Sequence, residues 1–229
     1  MRNLLLKLCA VSLLLSPSVA LAEQLPNGDP KINEWKTHHS MGCMMTRDCK
    51  DGVIPITSAM DVESELDVDL DGEAYLEIEV MMTYINELGI GVYLADSKYF
   101  PANHRGVYYT VGNNFFLNRD YMGKSHVFLA VMRHEGWHAV QDCMAGTLDN
   151  SLIAIVYDEE KVPFYWRDVA RRTYPESARA WEAEALWAGH TENITTEGLS
   201  ACANEIPMWD YYPPTPMTNE WLQNNGYIK

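Results

Sequence analysis

Two histidines four residues apart, with a glutamate directly after the first, stand at His134-Glu135-Gly136-Trp137-His138. On a helix, positions four apart share a face, so both imidazoles can meet one metal ion. Zinc suits two neutral imidazole nitrogens plus a carboxylate, with the fourth position left to water. Glu135 can point at that water and accept its proton, because zinc lowers the pKa of water from roughly 16 to about 7. The same spacing also fits two core histidines satisfied by hydrogen bonds beside a surface glutamate. The lead-in favours the metal. Val127, Phe128, Leu129, Val131 and Met132 are apolar, and Val127, Val131, His134 and His138 fall on one helical face.

These residues need a helix, and the apolar spacing predicts one from about Ser125 to Met144. Upstream, Phe115–Leu117 and Val107–Val111 read as strands joined by a Gly112-Asn113-Asn114 turn, and Ile90–Ala95 reads as a third. Glu73–Leu88 reads as a helix, because Ile78, Met81, Ile85 and Leu88 have helical spacing and Gly89 supplies a stop. Downstream, Pro175–Ala188 is predicted helical, ended by Gly189. Residues 61–72 alternate acidic and apolar side chains, as a short exposed strand or an extended loop would. Residues 23–72 as a whole read as an irregular N-terminal arm, and the tail from Pro207 onward reads as irregular too. The economical architecture is one α+β domain over 73–229, with a small mixed sheet, a central helix and a mostly helical C-terminal part.

The motif in this setting resembles the zincin superfamily of zinc metallopeptidases. In that superfamily a helix and small sheet precede the HExxH helix, and an edge strand aligns the substrate; Phe115–Leu117 occupies that place here. The resemblance implies hydrolysis of peptide bonds in a protein or peptide substrate, Zn2+ as cofactor, and Glu135 as catalytic base and later proton donor. His134 and His138 would be metal ligands. The metzincin branch is excluded, since its glycine and third histidine are replaced by Gln141 and Met144. In gluzincin-like members a glutamate on a following helix completes the site, and Trp181-Glu182-Ala183-Glu184-Ala185 fits. Glu184 is preferred to Glu182 because it shares a face with Trp181 and Ala188. The rival is Asp149, in a Gly146-Thr147-Leu148-Asp149 run that resembles the aspzincin pattern but lacks its Tyr-Gly continuation. Glu159 and Glu160 read as a solvated acidic run. Asp142, four residues beyond His138, could orient a ligand histidine, and Tyr157, Tyr165, Arg167 and His190 are candidate donors to an oxyanion.

Charge and cysteines bound the setting. With 17 basic against 32 acidic residues and a formal charge of −15, nucleic acid and anionic membrane are excluded as main partners. Residues 1–22 read as a secretory signal: Arg2 and Lys7, an apolar Leu8–Ala20 stretch, then cleavage after Ala22. The expected location is secreted or periplasmic, with no membrane association once the signal is removed. Four cysteines then remain, an even number that favours disulfides; three connectivities are open to them, of which Cys43–Cys49 with Cys143–Cys202 is preferred. Asp67-Val68-Asp69-Leu70-Asp71-Gly72 matches the opening of a calcium loop without its closing glutamate. Asn193-Ile194-Thr195 is a glycosylation sequon. The competing reading is a non-enzymatic exported module, metal- or calcium-binding, with a structural or relic HExxH site.

Overall fold

The computed structural model describes residues 41–146, 148, 153–206 and 208. The signal segment, the first part of the arm, Asp149 and most of the C-terminal tail lie outside the described residues. The architecture is α+β. In chain order come β1 (Val53–Ile56), α1 (Ala59–Leu66), α2 (Gly72–Glu87), β2 (Gly91–Ala95), β3 (Gly106–Tyr109) and β4 (Asn114–Asn118). The helices α3 (Ser125–Met144), α4 (Phe164–Thr173), α5 (Arg179–Gly189) and α6 (Ile194–Ala203) follow. The sheet order is β1-β2-β4-β3, with β2 and β4 parallel and both outer pairs antiparallel.

The irregular arm expected through residue 72 is corrected over its second half. Val53–Ile56 pairs with β2 as an outer strand, and the acidic stretch after it is helical. The alternation at 61–66 is incidental to a stronger local signal: Ser58 and Asp61 form a reciprocal capping box. Val62 then reaches the core, fully buried. The carboxylates of Asp67, Asp69 and Asp71 do not form a group that could hold a metal ion; the one such group among the described residues lies elsewhere. The Asp71 side chain accepts from the Ala74 N–H at the start of α2 (2.9 Å), and Glu63 accepts from the Leu70 N–H (3.1 Å). These carboxylates therefore satisfy helix-end and turn donors. The predicted helix at 175–188 begins later, at Arg179, and α4 and α6 are additional to those expected.

The sheet separates two apolar clusters. Its helical face (Val92, Leu94, Phe115, Leu117) packs on Ile78, Met82, Phe128, Met132 and Val140. Its other face (Ala95, Phe116) is covered by Met41, Met44 and Phe100. The covering segment is pinned by the Cys43–Cys49 disulfide, and by Arg47, whose guanidinium donates to Asn114 Oδ1 (2.8 Å). Cys143 on α3 is joined to Cys202 on α6, with Cα atoms 6.2 Å apart and 59 residues of separation. Closing a loop of that size stabilises by about 4 kcal/mol in the chain-entropy account. Two disulfides fit an oxidising compartment. Among the described residues, no helix is long and apolar enough to cross a membrane.

Candidate metal centre

The central helix α3 is enclosed on several sides. Arg133 makes a two-pronged ion pair with Glu77 of α2, its Nε 2.7 Å from Glu77 Oε1. Thr195 of α6 donates from Oγ1 to the Arg133 carbonyl (2.8 Å); the sequon threonine is thus fully buried. On the α5 side the approach is close: a Cβ at Gly189 would lie 2.9 Å from the Ala130 carbonyl oxygen and 3.2 Å from His134 Cβ. Only a residue without a side chain lets α5 come this near the histidine turn.

That approach brings a carboxylate to the two imidazoles. His134 and His138 have their ring centroids 4.9 Å apart. Glu182 Oε2 lies 3.4 Å from His134 Nε2 and 3.6 Å from His138 Nε2. These three side chains form a group that could hold a metal ion, and it is the one such group among the described residues. Glu182 Oε2 is buried and makes no hydrogen bond of acceptable geometry, although two nitrogens face it. A buried carboxylate oxygen in that condition is costly, and a cation among the three ligands would remove the cost. Tetrahedral ligands about 2.0–2.1 Å from a zinc ion stand about 3.3–3.4 Å from one another, close to the spacing observed. Burial pushes Glu182 upward in pKa, yet the adjacent imidazoles outweigh it and hold the carboxyl below the usual range. For His138, burial works downward, but the Glu182 charge prevails and raises it to about 9.

Glu182, not Glu184, is the carboxylate that meets the histidines. Two residues apart on a helix, the two glutamates point in nearly opposite directions, so the site can take only one. Glu184 is fully buried. Its carboxylate accepts from the Tyr157 N–H (2.6 Å), the Val156 N–H (3.2 Å), Trp137 Nε1 (3.2 Å) and Gln141 Nε2 (2.8 Å). Burial pushes its pKa up to about 7 against the pull of those donors. The apolar company that favours Glu184 in the sequence marks the core-facing side of α5, whereas the ligand sits beside it.

Glu135 is buried next to the pair, and burial raises its pKa above the ordinary carboxyl value while the two histidines pull it partly back. It abuts the sheet. The Tyr108 backbone slightly favours its charged form, and a Cβ at Gly106 would fall 2.5 Å from Glu135 Oε1. The strand it touches is β3, which is the outer strand; β4 is paired on both sides. The edge position expected for Phe115–Leu117 is therefore corrected: that strand is internal, and Gly106–Tyr109 is the outer one. Strand β4 is the more apolar and for that reason is central, with every residue buried.

The surrounding assignments also change. Asp142 accepts from the Tyr108 hydroxyl (2.8 Å), tying the outer strand to α3. The partner of His138 Nδ1 is Gln141 Oε1, at 2.8 Å. A residue three positions along a helix from a ligand is a neighbour of it, a signal available in the sequence. Of the oxyanion candidates, Tyr157 stacks on Trp137 (5.2 Å) and lies tilted against Trp187 (5.1 Å). Tyr165 is exposed, Arg167 Nε donates to the Val162 carbonyl, and the His190 ring stacks on Trp166. Glu159 is exposed and pairs with Arg167. The hydroxyl beside the metal group belongs instead to Tyr174, at the end of α4. Burial first, then the charge of Glu182 and of Glu135, pushes that phenol well above its ordinary pKa. Nothing in the sequence around Tyr174 singles it out.

Compared with known proteins, the chain matches no family model, no curated protein and no solved structure.

Proposed function

We propose that the protein is an exported, zinc-dependent metallopeptidase of zincin-like fold. One observation carries the reading: two imidazole Nε2 atoms and a carboxylate oxygen converge within metal-ligand reach, with a second buried carboxylate, Glu135, alongside on the same helix. A structural metal site needs no such additional acid. Export is supported by the character of residues 1–22 and by the two disulfides.

On this reading His134, His138 and Glu182 hold the zinc, which supplies Lewis acidity and brings the pKa of water down to about 7. Glu135, its affinity for protons raised by burial, takes the proton from the attacking water and returns it to the departing amine. The free edge of β3 pairs with an extended peptide and lays its scissile bond across the turn that bears Glu135. Tyr174, kept protonated by burial and by its acidic neighbours, donates a hydrogen bond to the developing oxyanion.

The direct test is cleavage of an unstructured protein such as casein by zinc-loaded enzyme. Cleavage is expected, lost on treatment with a chelator and restored by zinc. Undiminished cleavage by fully demetallated protein, or no cleavage of any peptide by the fully loaded form, would contradict the reading.

A smaller prediction concerns Gly106→Ala. The new methyl group would displace the Glu135 carboxylate, the flexible end of a side chain, so folding changes little. Misplacing a reacting group by about 1 Å can cost about a hundredfold in rate. Turnover is expected to fall by that order while zinc content stays at the wild-type level, measured side by side.

A further inference from the structure

The hydrogen bonds around Gln141 reach from the core to the metal group. Gln141 is fully buried, and its Nε2 lies 3.0 Å from the Trp181 carbonyl oxygen and 2.8 Å from Glu184 Oε2. A carbonyl oxygen can only accept. Glu184 Oε2 is already an acceptor for Trp137 Nε1 and the Val156 N–H. These two partners therefore fix which end of the amide is the nitrogen. The amide oxygen is left facing His138 Nδ1 at 2.8 Å, and since that oxygen only accepts, Nδ1 must carry the proton. In the neutral ring that binds a metal, His138 Nε2 is then the nitrogen with a free lone pair, and it is the one that faces Glu182 at 3.6 Å.

We propose that Glu184 and Gln141 act as a positioning relay: a core carboxylate that touches no metal sets the tautomer and ring orientation of His138 through one amide. The same amide grips the Trp181 carbonyl, one residue before Glu182, so it also fixes where α5 presents the third ligand. Partners of this kind in other metal sites are worth about 10- to 100-fold in metal affinity. The inference rests on the metal reading above, but it concerns affinity and tautomer, not turnover.

The experiment is a zinc titration of the full chain against a chromophoric chelator, for wild type and Gln141→Leu, with thermal unfolding of both metal-free proteins. The leucine keeps the bulk and removes both ends of the relay. Zinc affinity is expected to fall by about 10- to 100-fold in a protein that still unfolds cooperatively. Equal affinity, within about threefold, in a folded Gln141→Leu would overturn the relay alone. A wild-type protein that takes up no zinc would overturn the metal reading and the relay together. Should Gln141→Leu fail to fold, nitrogen-15 NMR of histidine-labelled, zinc-loaded wild type decides. The relay requires a proton on His138 Nδ1 and zinc on Nε2; coordination through Nδ1 would overturn it.

Discussion

Glu135→Gln is expected to lower peptide hydrolysis by about a thousandfold or more while leaving zinc bound. Glutamine keeps the size of the side chain, but it cannot take a proton from water. General acid–base catalysis by a placed side chain is worth about 10²–10⁴-fold, and here one group serves in both directions. Glu135 is 5 % exposed, so the change also removes the burden of burying a charge, and stability is expected to hold or to rise. The comparison is kcat/KM on one fluorogenic peptide together with zinc per chain. Wild-type turnover in Glu135→Gln would take this carboxylate out of the mechanism.

The second large effect separates two neighbours on α5. Glu182→Ala removes one of three protein ligands. If the free energy of a four-ligand zinc site, about 10–16 kcal/mol, is shared evenly, each ligand carries about 2.5–4 kcal/mol, a loss of about 70- to 850-fold in affinity. The metal-free variant should nevertheless fold, because it loses a buried oxygen that has no hydrogen bond. Glu184→Ala should act first on folding, and on zinc only indirectly, through Gln141. It strands Trp137 Nε1, Gln141 Nε2 and the Val156 and Tyr157 N–H groups in the core. At about 1–3 kcal/mol for each unsatisfied donor, a loss of more than about 3 kcal/mol is expected, and much of the protein would be unfolded at 37 °C. Chemical denaturation of the metal-free forms, beside zinc titration, distinguishes the two. A stable Glu184→Ala that has lost zinc, with a Glu182→Ala that has kept it, would exchange their roles.

The residues with a strict geometric requirement were the legible ones. The bounds of α3 follow from its apolar spacing, and His134, Glu135 and His138 declare themselves by position along it. That the four cysteines pair follows from parity and location, whereas which pairs with which is set by the fold. What was not legible depended on packing between segments distant in the chain. Glu182 and Glu184 occupy the same helix in nearly the same sequence context, and only the docking of α5 on α3, permitted at Gly189, decides which faces the histidines. The outer position of β3 is likewise a property of strand order, which local alternation does not encode. Helix α1 was hidden because its acidic residues alternate with apolar ones, while its start is set by the Ser58–Asp61 cap. Tyr174 reaches the site only because α4 ends where α5 begins its approach, and no spacing announces that.

Anomalous diffraction from crystals of the zinc-loaded protein, recorded on either side of the zinc edge, addresses the central claim most directly. One strong peak is predicted, about 2.0–2.1 Å from His134 Nε2, from His138 Nε2 and from a carboxylate oxygen of Glu182, with Glu184 still turned into the core. A peak bound elsewhere, or none between the two histidines at saturating zinc, would contradict it.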